Sequence, residues 1–272
     1  MSRPTESQDL VAVIPAAGSA TRVSDLPFSK CLYPLPVQEA HGIAIHTPLG
    51  RLLYSLQRAG ADRALMVTRR ERSDLIDYVA NHPIAEAFPI AHVITSPTPS
   101  VPHSILRAVP FMERADVILA YPDIVFEPMS LPELLIARME ESGADVMLAL
   151  VPTDRPDRCD TVELDDGNRV VRISVKSHSG LPEAWILAVW NSRFTEFLID
   201  YVGARNASSD SNTNELQVSE AFVAAQRAGL SLLVERFPNG RFLDLGTPDA
   251  LATASHFLSA RRGPGWLSVP SS

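Results

Sequence analysis

Residues 10–35, LVAVIPAAGSATRVSDLPFSKCLYPL, restrict the fold more than any other stretch of the chain. Leu10 to Ile14 is an uninterrupted apolar run, the pattern of a fully buried strand. Pro15 ends it, because proline has no N–H to give to a sheet ladder. Ala16, Ala17, Gly18, Ser19, Ala20 and Thr21 follow, and side chains this small let a polyanion approach the backbone N–H groups closely. Arg22 comes next, and Lys30 lies about two helical turns further on. A buried strand, a small-residue turn and two cations suit a run of phosphates. The turn alone would fit an ordinary strand–turn–helix with surface cations equally well.

The pattern downstream alternates. Thr47-Pro48 with Leu49, Leu52, Leu53 and Leu56 predicts a capped amphipathic helix ending at Gly60. Strands are predicted over 63–68, 91–94, 116–120 and 145–151. Helices are predicted over 71–80 and 105–111, and from a Ser130-x-x-Glu133 capping box to Gly143. Strand–helix alternation argues for a mostly parallel sheet wound with helices on both faces. After Pro152 the rhythm changes. Residues 161–164 and 169–175 alternate apolar with polar across Asp165-Asp166-Gly167-Asn168, a hairpin signal. A strand over 185–190, a helix over 194–202, a mobile loop over 203–213, a helix over 216–228 and a strand over 231–235 follow. Thr247-Pro248 opens a last helix, and the tail from Arg261 is expected to fray.

A length of 272 residues fits one large α/β domain or two small ones. The formal charge of −8, without a basic block, argues against nucleic acid as the main partner. No apolar run approaches a membrane span, and the polar N-terminus does not read as a signal peptide. The two distant cysteines, Cys31 and Cys159, read as free thiols, which points to the cytoplasm, and they lack zinc-ligand spacing.

The opening stretch resembles the signature of the nucleotidyltransferases that join a nucleoside triphosphate to a sugar 1-phosphate. It matches at Pro15-Ala16-Ala17-Gly18-Ser19-Ala20-Thr21-Arg22, with one family glycine replaced by Ala20, and at Ser29-Lys30-Cys31-Leu32-Tyr33-Pro34-Leu35. Phe242-Leu243-Asp244-Leu245-Gly246-Thr247-Pro248 resembles a second family heptad, more than half the chain away. The resemblance implies an α/β fold with a mostly parallel, Rossmann-like mixed sheet flanked by helices, plus a smaller β-rich acceptor-binding part. It implies a single nucleotidyltransferase domain over 1–272, with a nucleotide-binding part over about 10–151 and an acceptor part over about 152–260.

By the same resemblance, the backbone of residues 16–21 cradles the triphosphate, Arg22 lies on the leaving pyrophosphate and Lys30 on the α-phosphoryl group. Pro97 lies near the base, Lys176 grips the acceptor's phosphate, and Asp123 and Asp244 hold Mg²⁺. On residue type alone, Asp123 could be a turn or cap carboxylate and Lys176 a solvated strand end. A carboxylate between Leu243 and Leu245 is harder to explain without a partner.

The resemblance thins at both recognition pockets. The base loop reads Ser96-Pro97 with Val101, the usual Glu-Lys-Pro is Val175-Lys176-Ser177, and Ile186 or Leu187 replaces the glycine that floors the sugar pocket. Glu215, which matches a family position at a helix start, reads as a cap or supporting residue. A cytidylyltransferase acting on a phosphorylated alcohol stays open, as does a non-catalytic nucleotide-binding homologue. A glycosyltransferase would normally show Asp-x-Asp, where this chain has Asp123-Ile124-Val125. Gly-x-Gly-x-x-Gly and Gly-Lys-(Ser/Thr) are absent, which disfavours dinucleotide oxidoreductases and P-loop kinases. The base, the acceptor and a homo-oligomeric state are not fixed by the sequence.

Overall fold

The computed structural model describes residues 9–18, 26–39, 41–178, 180–207 and 215–259. Its first half runs β1 (Leu10–Pro15), β2 (Leu35–Glu39), β3 (Gly42–His46), α1 (Pro48–Arg58), β4 (Arg63–Thr68), α2 (Ser73–Ala80), β5 (Ile90–Ile94), α3 (Val101–Ala108), β6 (Asp116–Ala120), β7 (Ile124–Glu127), α4 (Leu131–Ser142) and β8 (Val146–Pro152). The second half adds β9 (Asp160–Leu164), β10 (Val170–Val175), β11 (Glu183–Trp190), α5 (Ser192–Ala207), α6 (Val218–Arg227), β12 (Leu232–Arg236), β13 (Arg241–Asp244) and α7 (Pro248–Ser259).

A nine-stranded sheet forms the frame. Strand β1 lies between β4 and β6, parallel to both, and β5 extends the sheet beyond β4. Strand β11 runs antiparallel to β6 and β8, and β12 pairs parallel with β8. Only β10 and β11 oppose the common direction, so the sheet is mixed but mostly parallel, as expected.

Strand β11 is longer than the edge that β6 offers it. Leu187 to Trp190 pair with β6, whereas Ala184 pairs with Thr161 of β9. The β9–β10 hairpin therefore continues the line of β6 past its C-terminal end and delivers its own residues to that edge.

The buried strands alternate between two cores. Ala12, Ile14, Ala64, Met66, Ile118 and Ala120 face α1, α2 and α4. Val11, Val13, Leu65, Val67, Val117 and Leu119 face α3, α5 and α6. Period-2 alternation puts these sets on opposite faces, so helices cover the sheet on both sides.

Local chemistry sets the ends of α1 and α4. The Thr47 hydroxyl accepts from Gly50 N–H at 2.9 Å, with Pro48 at the first turn of α1. Gly143 closes α4 at φ +62°, where a Cβ would strain the backbone.

Three expectations change. Ser130 precedes α4 but its side chain caps nothing, because its backbone (φ −81°, ψ 1°) is not extended as a capping box requires. Helix α5 runs through Ala207, so residues 203–207 are helical rather than loop, and 208–213 lie outside the described residues. Two small ribbons, β2–β3 and β7–β13, go unannounced by the sequence pattern. The tail from Arg261 is outside the described residues.

Candidate active site

The C-terminal ends of β1, β4 and β6 lie side by side, the usual place for ligands in open α/β sheets. An open cleft lies there, lined by Ala16, Gly18, Lys30, Arg72 and Asp123 among others.

Of the predicted cradle, Ala16 donates its N–H to Val67 O at 2.7 Å and extends the β1–β4 ladder. That donor is spent on the sheet, so Ala16 offers the cleft its small side chain rather than its N–H. Ala17 is buried and Gly18 exposed, with open space where a Cβ would stand. Ser19, Ala20, Thr21 and Arg22 lie outside the described residues.

Lys30 opens a 3₁₀ turn over Lys30–Leu32. The residue before it is anchored: Ser29 is buried, and its N–H and hydroxyl both bond to the Asp74 carboxylate. The Lys30 ammonium then reaches across to form an ion pair with Asp123, both side chains about one-fifth exposed. Cys31 packs inward, and burial pushes its thiol up to about 12, with Asp123 and Asp74 adding to the effect. It packs in the core as a free thiol.

The β7–β13 ribbon brings the two aspartates together. Asp244 stands opposite Ile124, and Leu245 N–H donates to the Asp123 carbonyl at 3.0 Å. Burial, and then the Asp123 carboxylate, push the Asp244 carboxyl above its usual range; Lys30, the Gly246 N–H and Lys176 pull against them. A Cβ on Gly246 would lie 3.0 Å from Asp244 Oδ1, so glycine lets the carboxylate fold back onto the turn. The Thr247 hydroxyl accepts from Ala250 N–H at 3.3 Å to cap α7 and from Arg158 Nη1 at 3.2 Å, tying this turn to the segment just ahead of β9.

Lys176 directly follows β10, with its N–H on Cys159 O at 3.1 Å and its backbone in the left-handed region at φ +40°. A non-glycine residue held there costs on the order of 1–3 kcal/mol and is often found at functional sites. Opposite Val175 in the hairpin stands Asp160. Burial raises the Asp160 carboxyl, while the Ser219 hydroxyl donates to it and the Lys176 ammonium opposes the rise. Trp185 Nε1 in turn donates to Ser219 Oγ at 3.0 Å.

The structure thus gathers Lys30, Asp123, Asp244 and Lys176 from four parts of the chain. It does not gather Pro97, which is exposed in the loop between β5 and α3 and does not line the cleft. Ile186 and Leu187 are both about 1% exposed. Glu215 is exposed three residues ahead of α6, so it does not cap that helix.

Arg69, Arg72 and Asp160 were not singled out by the sequence. The arginines follow β4, and a predicted strand adjacent to β1 could have marked its C-terminal end as cleft-forming. Asp160 could have been found by counting back through the hairpin from Lys176.

The two aspartates supply hard oxygen ligands, and a cation between them would relieve the repulsion that raises Asp244. Among the described residues no group of three or more His, Cys, Asp and Glu side chains could enclose a metal ion. Magnesium does not need one, since it keeps several waters and takes one or two carboxylates plus phosphate oxygens. The donor set fits that ion.

No family model matches the chain, and no curated protein matches its sequence. Solved structures do match in shape. A Bacillus anthracis protein described as a glucose-1-phosphate thymidylyltransferase, solved with sucrose, superposes at a TM-score of 0.75 with 13% identity, over 94% of this chain and 98% of that one. A UTP-bound UGPase from Acinetobacter baumannii gives 0.71 with 16% identity, over 93% and 95%. An apo UDP-glucose pyrophosphorylase gives 0.72 with 16% identity, over 93% and 99%. This chain has their fold. The likeness spans nearly the whole chain.

Proposed function

We propose that the protein is a sugar-phosphate nucleotidyltransferase, condensing a nucleoside triphosphate with a sugar 1-phosphate to give a nucleoside-diphosphate sugar and pyrophosphate. The observation that carries this reading is the meeting of Asp123 and Asp244 beside two lysines at the C-terminal edge of β6. The whole-chain likeness to proteins described as thymidylyl- and uridylyltransferases supports it.

An acceptor phosphate oxygen attacks the α-phosphorus, a new P–O bond forms, and the bond to pyrophosphate breaks. Such a displacement needs positioning and charge neutralisation rather than covalent help from the protein. Lys176 takes the incoming phosphate, and Lys30 leaves its pairing with Asp123 to neutralise the α-phosphoryl oxygens. Asp123 and Asp244 hold the magnesium ion, which supplies positive charge to the phosphate oxygens when bound. Arg22 and the N–H groups of residues 17–21 complete the triphosphate site on the sequence reading. Residues 10–151 carry the donor and residues 152–260 the acceptor, within one domain.

Among the described residues no helix is long and apolar enough to cross a membrane; the cytoplasm is read from the two free thiols. A panel of nucleoside triphosphates against sugar 1-phosphates and phosphorylated alcohols, read by pyrophosphate release with and without Mg²⁺, tests the reading. Metal-dependent release with a sugar 1-phosphate is the expected result. Release only with CTP and a phosphorylated alcohol would favour a cytidylyltransferase. No release with any pair would leave a nucleotide-binding homologue.

A further inference from the structure

The stretch Arg69-Arg70-Glu71-Arg72 leaves β4 at the same sheet edge as the cleft. Arg70 and Glu71 are exposed, whereas Arg69 and Arg72 are half-buried. Arg72 lines the cleft, and its guanidinium donates to Gly18 O at 3.2 Å and to Ser29 Oγ at 3.2 Å. Arg69 donates to the same Gly18 carbonyl at 3.3 Å, while its Nε is buried with no hydrogen-bond partner.

A carbonyl has two lone pairs and can accept from both guanidiniums, but it carries no formal charge to offset them. The nearby carboxylates are already engaged: Asp74 by the N–H and hydroxyl of Ser29, and Asp123 by Lys30. Among the described residues neither Arg69 nor Arg72 forms an ion pair. Two half-buried guanidiniums therefore meet on one neutral oxygen beside a cleft, an arrangement that favours an anion.

Their place in the strand order gives the anion a direction. Across the edge of the sheet come β4 with Arg69 and Arg72, then β1 with Gly18, then β6 with Asp123; β9 continues the line of β6 beyond its end, and Lys176 comes just after β10, the hairpin partner of β9. An in-line displacement at phosphorus needs the attacking and leaving oxygens on opposite sides. With Lys176 on the acceptor's side, the leaving pyrophosphate belongs on the side of β4.

We propose that Arg69 and Arg72 form a guanidinium clamp for the two outer phosphates of the nucleoside triphosphate, and so for the departing pyrophosphate. The assignment of the outer phosphates rests on the transferase reading above. The clamp itself is a pyrophosphate-class anion site that can be tested without turnover.

The test is calorimetric titration of the full chain with inorganic pyrophosphate and, separately, orthophosphate, with the folded state checked by thermal melting. The wild-type protein is expected to prefer pyrophosphate. Arg72→Gln is expected to weaken pyrophosphate binding ~10- to 100-fold, as for loss of charge-assisted hydrogen bonds, and Arg69→Gln by about tenfold. Arg70→Gln, on the exposed neighbour, is expected to stay within about twofold.

Arg72→Lys separates charge from scaffolding. It keeps the cation but cannot fork to Gly18 and Ser29 together, so partial recovery of pyrophosphate affinity marks a direct contact. A lysine variant as weak as Arg72→Gln would mark a purely structural arginine and overturn the clamp. So would wild-type protein that binds no pyrophosphate, or Arg72→Gln that binds it unchanged. If Arg72→Gln does not fold, Arg69→Gln alone decides: unchanged pyrophosphate affinity there rejects the clamp. Pyrophosphate binding through Arg72 without release from any triphosphate would keep the clamp and reject the transferase reading. Turnover that survives Arg72→Gln with unchanged triphosphate KM would do the reverse.

Discussion

The cleft at β1 and β4 and the wall formed by β9, β10 and β11 recognise by different means. The cleft carries cations: Lys30 ion-paired to Asp123, and Arg69 and Arg72 on the Gly18 carbonyl. The wall presents Lys176 beside a buried network in which Trp185 holds Ser219 and Ser219 holds Asp160. Behind that network Phe222 is fully buried, with ring contacts at 5.4 Å to Trp185 and 5.2 Å to Phe194. A triphosphate can be recognised by charge, which tolerates modest movement. The neutral, hydroxyl-rich sugar of a sugar phosphate needs hydrogen-bonding groups fixed by packing. The difference suggests that the donor side should fail by losing charge and the acceptor side by losing rigidity.

The largest expected effect tests the packed side. Phe222→Ala should cost about 3–5 kcal/mol of folding stability, the usual range for emptying an aromatic core site. Urea unfolding reads it, and a loss below about 1 kcal/mol would mean that the aromatic cluster does not brace the wall. On the charged side, Lys30→Ala should lower turnover ~10²–10³-fold, as when one preorganised electrostatic donor is removed. Steady-state kinetics should show acceptor KM nearly unchanged, and thermal unfolding a melting temperature nearly unchanged.

A smaller effect is expected at the junction of the two regions. Asp160→Asn removes a carboxylate that faces Lys176, and should raise acceptor KM about tenfold while leaving triphosphate KM alone. Equal changes in both constants would blur the distinction drawn here.

The smallest effect concerns a carboxyl at the start of β6, at the end of the strand away from the cleft. Burial, and then Glu140, push Asp116 up to about 6. The folded state therefore holds this proton more tightly than the unfolded chain, whose carboxyl titrates near 3.9. Asp116 favours folding at pH below about 4, and that contribution is lost as pH rises through about 6. Melting temperatures across this range should show the loss in wild-type protein and not in Asp116→Asn, with pyrophosphate release unaffected by the substitution.

Much of the phosphate side was legible in the sequence because its signals are local. An apolar run and a proline specify β1, and Lys30 follows within the same stretch; Ser19 to Arg22 lie outside the described residues. Strand–helix alternation likewise predicted a mostly parallel sheet, and the solved structures share that fold. Asp123 and Asp244 were each visible as carboxylates, but their proximity was implied by the family resemblance alone and by no local pattern. It depends on β7 and β13, two four-residue strands too short to show a period.

The acceptor wall was less legible for the same reason. Asp160, Lys176, Trp185 and Ser219 come from four separate elements, and no spacing in sequence announces that they meet. Ala16 shows the opposite failure: a residue inside a strong motif whose N–H the neighbouring strand has already claimed.

The central claim is that Asp123 and Asp244 together hold one divalent ion against a run of phosphates. Anomalous diffraction from crystals grown with a nucleoside triphosphate and Mn²⁺ in place of Mg²⁺ tests it most directly. The account expects a single strong peak at the cleft, touching a carboxylate oxygen of each aspartate and at least one phosphate oxygen, with Lys30 released from Asp123. A triphosphate bound with Lys30 still paired to Asp123, or a manganese peak that leaves Asp244 untouched, would contradict it.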